Sequence, residues 1–195
     1  RTSLVPFVKM HGCGNDYVYI DCRGRVIDDP AALARRVSDR HFGVGSDGLI
    51  LIGPSERADV AMRIFNADGS EAEMCGNAAR CAVRFANLTG IVDKTEMAFR
   101  TLPGIIQGKL IGSRVKVRMT APHSLALDLH LEADGLAFDF DFINTGVPHA
   151  VCFLNDASEI EAADVSGWGR PFRFHPHFQP AGSNINFAYL QDEHR

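Results

Sequence analysis

Asn66-Ala67-Asp68-Gly69-Ser70-Glu71-Ala72-Glu73-Met74-Cys75-Gly76-Asn77-Ala78-Ala79-Arg80-Cys81 is the stretch that decides the fold. It holds a tight Asp-Gly turn, a short bridge and the start of a helix. Cys81, Ala82, Phe85, Ala86 and Leu88 recur on one face, and Gly90 is placed to stop the run. The spacing therefore predicts an apolar helix from about Gly76, with Cys75 at its N-terminus. A thiol there meets the positive end of the helix dipole and unpaired backbone N–H groups, both of which favour thiolate. The same N–H groups, with Gly76 allowing close approach, suit a carboxylate. Base and anion site then coincide. That arrangement suits removal of a proton from the carbon beside a carboxylate, because the developing charge lands on the group the dipole already stabilises. Asn15, Asn66, Asn77 and Asn184, all near turns, are candidates for neutral hydrogen bonds to ammonium and carboxylate groups. A helix-start cysteine with no chemistry fits the same residues, and spacing alone does not separate the two.

Upstream, residues 7–9 and 17–21 read as short strands around a polar, tightly bent loop, His11-Gly12-Cys13-Gly14-Asn15-Asp16. Residues 31–40 read as a surface helix with Asp28 and Asp29 as capping candidates. Residues 49–52 and 58–65 read as further strands. Gly43 to Gly48 matches Gly-x-Gly-x-x-Gly, but a dinucleotide fingerprint follows a strand and opens a helix. Here a helix precedes and a strand follows, so the run is a glycine-rich turn. Downstream, residues 95–119 alternate strand-like runs with glycine turns, and Phe138-Asp139-Phe140-Asp141-Phe142 has the period of a half-buried strand. Residues 157–165 read as a short helix, 166–181 as a loop, and 185–190 as a strand.

An internal echo joins the two ends of the chain. Gly45-Ser46-Asp47-Gly48 and the apolar run after it lie over Gly182-Ser183-Asn184-Ile185 and its run, and the turn before Tyr17 lies over Gly146-Val147-Pro148-His149. The pairs are about 130 to 140 positions apart, a spacing that suggests two similar halves, although the match is short enough for chance to rival duplication. If the halves are duplicates, the counterpart of the Cys75 segment falls at about position 210. The expectation is an N-terminal half over residues 1–120 and a partial C-terminal half over 121–195.

Composition narrows the function classes. The 195 residues are 46% hydrophobic and 23% charged, enough to bury roughly 70% of the unfolded surface. A net charge of -4 with 20 Lys plus Arg offers no basic field for nucleic acid. No apolar run is long enough for a membrane span and no signal-peptide pattern opens the chain, so the expected location is cytoplasmic. Cysteines 13, 22, 75, 81 and 152 are odd in number and contain no Cys-x-x-Cys pair, which argues for free thiols rather than disulfides or a zinc finger. A Cys-His hydrolase pairing Cys75 with His149 lacks a third orienting residue. His175-Pro176-His177 lacks further ligands at zinc spacing, so no metal is expected. No lysine stands in a phosphate-binding context suited to a pyridoxal Schiff base. A mechanism without cofactor fits best.

Four ordered blocks resemble the diaminopimelate epimerase family. They are His11-Gly12-x-Gly14-Asn15-Asp16, Arg40-His41-x-Gly43-x-Gly45-x-Asp47, Arg63-Ile64-Phe65-Asn66-Ala67-Asp68-Gly69-Ser70-Glu71 and Met74-Cys75-Gly76-Asn77-x-x-Arg80-Cys81. The resemblance continues through Gly146-Val147-Pro148-His149 and Gly182-Ser183-Asn184-Ile185-Asn186-Phe187. It implies an α/β (α+β) fold of two pseudo-symmetric halves, each a mixed sheet curled around a central helix, with the second half incomplete in this chain. The implied activity is cofactor-independent epimerisation of L,L- to meso-diaminopimelate for lysine and peptidoglycan synthesis, by two cysteines acting as base and acid. Cys75 matches the first cysteine, Gly76 and Asn77 the carboxylate-binding helix start, Asn15, Asn66 and Asn184 substrate contacts, and His149 a histidine that modulates the cysteine pair. A small amino-acid substrate and a homodimer of the full-length protein are the implied partners, with no nucleic acid and no membrane.

The chain departs from the family pattern in three places. Gly48 stands where some members carry a substrate-contacting Gln, and Val147 where many carry Asn. The block that carries the second catalytic cysteine is not found, and Cys13, Cys22, Cys81 and Cys152 lack its context. The expectation for the isolated chain is therefore no epimerisation, with a one-cysteine fragment or ligand-binding relic of the same fold as the alternative.

Overall fold

A computed structural model describes residues 4–192. It divides between Met119 and Thr120 into two compact units. The first unit is built on strands β1 (Val8–Gly12), β2 (Asn15–Asp21), β3 (Gly48–Gly53), β4 (Val60–Asn66), β5 (Glu71–Ala72), β6 (Glu96–Arg100), β7 (Ile105–Ile111) and β8 (Arg114–Arg118). Helices α1 (Pro30–Ser38) and α2 (Gly76–Leu88) pack on it. The strands form one mixed sheet in the order β1-β2-β3-β4-β6-β7-β8, with β5 paired to β4. The β2–β3 and β4–β6 pairs are parallel and the others antiparallel.

The sheet is curled because α2 lies in its concavity and touches β1 and β8, the two ends of the strand order. Seven residues of this helix are buried, among them Ala78, Ala79, Ala82 and Ala86. The small residues let strands approach closely, and Val83 and Phe85 fill the space left over, beside Tyr19, Phe99 and Ile106. A Cβ on Gly108 of β7 would sit 2.2 Å from Val83 Cγ2, so a larger residue where the strand crosses the helix would force Val83 aside. Gly90 ends α2 as expected, with φ +68. On the other face α1 covers Val18, Ile20, Leu49, Leu51 and Phe65 with Ala34. Its Pro30 start and the Asp29 carboxylate, which accepts the Ala32 N–H, fix where it begins.

The second unit carries β9 (His123–Ala133), β10 (Leu136–Asn144), β11 (Pro148–Phe153) and β12 (Asn184–Ala188), in the order β12-β11-β10-β9, with α3 (Ala157–Ala162) and α4 (Val165–Arg173). Only β11–β12 is parallel. Phe138, Phe140, Phe172 and Phe178 make an aromatic core. The echo in sequence is matched by connectivity within each unit. A hairpin is followed by helix and by a strand that joins the hairpin's second strand in parallel, Tyr17 opposite Gly48 in one case and His149 opposite Asn184 in the other. Gly45 and Gly182 both take positive φ, +75 and +72, and Ser46 and Ser183 after them are both buried.

Two expectations are corrected. The bent loop over residues 11–16 shrinks to Cys13-Gly14, because β1 and β2 pair up to Gly12 opposite Asn15. Residues 166–181 are not one loop: α4 occupies Val165–Arg173, and Pro176–Phe178 form a 3₁₀ turn. Asp164 caps α4 at the Gly167 N–H, and Phe172 is fully buried, so tertiary burial outweighs Pro171 and the two glycines. No described helix is long and apolar enough to cross a membrane.

Candidate active site

Cys75 is the N-cap of α2. Its backbone is extended, φ -147 and ψ 117, and its Sγ accepts the Ala78 N–H at 3.5 Å. Cysteine thus takes the place usually held by Ser, Thr, Asp or Asn. Its thiol donates to Asn15 Oδ1 at 3.4 Å, and the Tyr17 hydroxyl donates to the sulfur at 3.5 Å. Asn15 and Tyr17 are brought there by the β1–β2 hairpin. A Cβ on Gly12 would lie 3.1 Å from the Asn77 carbonyl oxygen, so glycine lets the end of β1 close on the first turn of α2. The Asn77 amide oxygen accepts from Arg80 one turn on.

Three strands end together beside this helix start. Tyr17 of β2 is opposite Gly48 of β3, and Gly48 is opposite Asn66 of β4. Asn66 is exposed, and its amide donates to Ser70 Oγ at 3.0 Å. The Asp68-Gly69 turn below it is locked by Ser70, whose N–H and hydroxyl both go to Asp68 Oδ1. The structure therefore brings Asn15, Asn66, Cys75, Gly76 and Asn77 to one end of the first unit. His149 and Asn184 belong to the second unit, opposite one another on β11 and β12. Arg173 Nη1 donates to Asn184 Oδ1 at 3.1 Å, and the Asn186 amide lies 3.3 Å from His149 Nδ1.

Behind the cysteine runs a polar network that single-residue reading missed. Asn15 Nδ2 donates to Asp47 Oδ2 at 2.7 Å, and Asp47 also accepts the Asp16 N–H at 3.0 Å and Arg40 at 2.9 Å. Its signal in sequence is the Arg40 to Asp47 block, whose glycines are structural. A Cβ on Gly43 would stand 2.2 Å from the Arg36 carbonyl oxygen, and Gly45 needs its positive φ. Asp16 lies 3.0 Å from both Lys9 Nζ and Arg40 Nη2. Burial raises its carboxyl, but the hydrogen bonds and charges of Arg40 and Lys9 outweigh this and hold it at about 2, against an ordinary 3.8. Because the folded value is depressed, this carboxylate stabilises the fold fully above about pH 4, and the contribution is lost as pH falls toward 2. The stability gap between wild type and Asp16→Asn, measured by urea unfolding, should be full at about pH 6 and close near pH 2. A gap independent of pH would contradict this account.

The other thiols sit differently. Cys81 and Cys152 are buried, and burial pushes both upward in pKa. Cys22 is half-buried under the α1 face, also pushed up by burial. Cys13 is exposed at the β1–β2 turn, its sulfur 3.7 Å from Arg80 Nη2. The His175 Nδ1 accepts the His177 N–H, and no group of three metal-binding side chains is found among the described residues.

Gly48 sits between Tyr17 and Asn66 in the strand register. A Cβ there would lie 2.2 Å from the Phe65 carbonyl oxygen and 3.0 Å from the Tyr17 ring. This backbone has no room for a side chain at that position.

A sequence model described as diaminopimelate epimerase matches residues 7–125. The diaminopimelate epimerase of Agathobacter rectalis is 41% identical over 95% of the chain and 72% of its own length. That of Methanococcus maripaludis is 39% identical over 97% of the chain and 73% of its own. Among solved structures, a phenazine biosynthesis protein of the PhzF family from Bacillus anthracis superposes with a TM-score of 0.67 at 17% identity, covering 97% of this chain and 67% of that one. A hydroxyproline epimerase from Agrobacterium vitis gives 0.62 at 18% identity, over 92% and 64%. These two likenesses concern the fold alone.

Proposed function

Because the chain belongs to the diaminopimelate epimerase family, we propose that it inverts one α-carbon of L,L-diaminopimelate to give the meso isomer, without a cofactor, with Cys75 as one of two cysteine acid/base groups. The observation that carries this reading is the Cys75 sulfur at the start of α2, next to backbone N–H groups and to Gly76. A Cβ on Gly76 would make only ordinary contacts, at 3.5 Å from the Met119 methyl. The protein's own packing therefore does not demand glycine there, whereas a carboxylate approaching the helix start does.

In the proposed step the Cys75 thiolate removes the α-proton, and the electron pair moves into the adjacent carboxylate. The Gly76 and Asn77 N–H groups stabilise the charge as it builds. A second cysteine delivers a proton to the opposite face, and the C–H bond reforms with inverted configuration. Asn15, Asn66, Asn77 and Asn184 bind the substrate by neutral hydrogen bonds, and His149 modulates the cysteine pair. The reaction serves lysine and peptidoglycan precursor synthesis in the cytoplasm, in a homodimer.

A catalytically inactive one-cysteine fragment or ligand-binding relic of the same fold is the competing reading, favoured by the burial of Cys81 and Cys152. Deuterated water separates the two. Given L,L-diaminopimelate, the full-length protein should release meso product carrying deuterium at the inverted carbon, while early recovered substrate stays unlabelled, the signature of two separate proton carriers. Binding without deuteration or inversion would overturn the epimerase reading.

A further inference from the structure

Cys75 Sγ is approached by groups of opposite hydrogen-bonding character. The Tyr17 hydroxyl at 3.5 Å and the Ala78 N–H at 3.5 Å donate to it, while Asn15 Oδ1 at 3.4 Å can only accept. The orientation of the Asn15 amide is settled by chemistry. Its Nδ2 faces Asp47 Oδ2 at 2.7 Å, a carboxylate oxygen that cannot donate, so the carbonyl oxygen must face the sulfur. Asp47 is in turn held by Arg40 and by the Asp16 N–H. A thiolate needs donors and a thiol needs an acceptor; this sulfur has both. An isomerase requires such balance, since the group that takes a proton in one direction returns it in the other.

We propose that Tyr17 and the Asp47-locked Asn15 act as opposed partners of the Cys75 sulfur, Tyr17 a catalytic residue that favours the thiolate and Asn15 one that favours the thiol. The proposal rests on the reading of Cys75 as an acid/base group. Tyr17 is suited to the task because the residue is only 5% exposed, so water does not replace the hydroxyl when it is removed. Burial, then the hydrogen bond to Cys75, pushes the phenol well above its ordinary range, and it stays a protonated donor across neutral pH. The titratable groups that face the sulfur are Tyr17 and Tyr19 from β2 and Cys81 from α2, with Asp47 behind Asn15. Tyr19 provides a control: its hydroxyl donates to the Ala78 carbonyl at 3.0 Å and bonds the Cys81 sulfur rather than that of Cys75.

The test is the rate at which iodoacetamide alkylates Cys75, read by mass spectrometry on the Cys75 peptide from about pH 6 to pH 10. Tyr17→Phe should slow alkylation at neutral pH by about 3- to 10-fold and displace the profile upward by about 0.5 to 1 pH unit, the size expected for one lost hydrogen bond. Asn15→Ala should displace it downward, and Tyr19→Phe should leave it in place. A Tyr17→Phe profile that coincides with wild type, or moves together with that of Tyr19→Phe, overturns the proposal. An Asn15→Ala profile displaced upward does the same, and decides the matter alone if Tyr17→Phe fails to fold. No turnover is needed. Failure to deuterate diaminopimelate therefore strikes the epimerase reading alone, and an unmoved alkylation profile strikes this inference alone.

Discussion

In the full-length protein, Cys75→Ala is expected to lower the rate of α-proton exchange and inversion by about 1000-fold or more while leaving the fold intact. A positioned acid/base group typically contributes about 100- to 10,000-fold, and here the same atom must take the proton in one direction and return it in the other. The structural cost is small by comparison. Alanine removes the acceptor for the Ala78 N–H, a cap worth about 1 kcal/mol, while the apolar face of α2 is untouched. Cys75→Ser separates the two effects: a hydroxyl restores the cap but is far less acidic than a thiol, so stability should recover and rate should not. Deuterium uptake from heavy water and urea unfolding give the two readouts. Activity within about tenfold of wild type in the alanine variant would remove Cys75 from the reaction.

Gly48→Ala is expected to have the second largest effect, and on both stability and activity. The added methyl would stand 2.2 Å from the Phe65 carbonyl oxygen, a backbone atom that cannot swing aside. Strands β3 and β4 must part to admit it, at a cost of about 3 kcal/mol, the upper part of the range for overpacking. That corresponds to a fall in melting temperature of about 6 to 12 °C for a chain of this size. Because Gly48 lies between Tyr17 and Asn66, the same movement shifts the groups beside Cys75. A Gly48→Ala protein with unchanged melting temperature would show that the two strands are less closely joined than described.

Much of the architecture could be read from local pattern. The start of α2 at Gly76 followed from the apolar face after Cys75, and the end at Gly90 from a residue that tolerates positive φ. The glycine-rich turn before β3 was legible for the same reason. The helix α4 was not, since Pro171, Gly167 and Gly169 speak for a loop by propensity. What decides the segment is burial of Phe172 and close packing of Gly169 on Ile185 and Phe187, contacts made outside the window that propensity surveys. The site divides along the same line. Cys75 and its neighbours at 76 and 77 were visible as a helix start, whereas Tyr17 looked like any strand residue. Its hydroxyl matters only because sheet pairing carries it to a sulfur 58 positions away.

That separation governs when chemical competence is acquired during folding. The hairpin of β1 and β2 is local and can close within microseconds, and α2 can nucleate alone. The parallel join of β2 to β3 must close a loop that contains α1, and it is this join that brings Asp47 to Asn15. Contacts of such long range carry the loop-closure entropy that slows folding. The sulfur of Cys75 is therefore without Asn15 and Tyr17 through the early stages, a bare thiol on a forming helix. Its acquisition of both partners marks the docking of α2 on the β1–β2 hairpin.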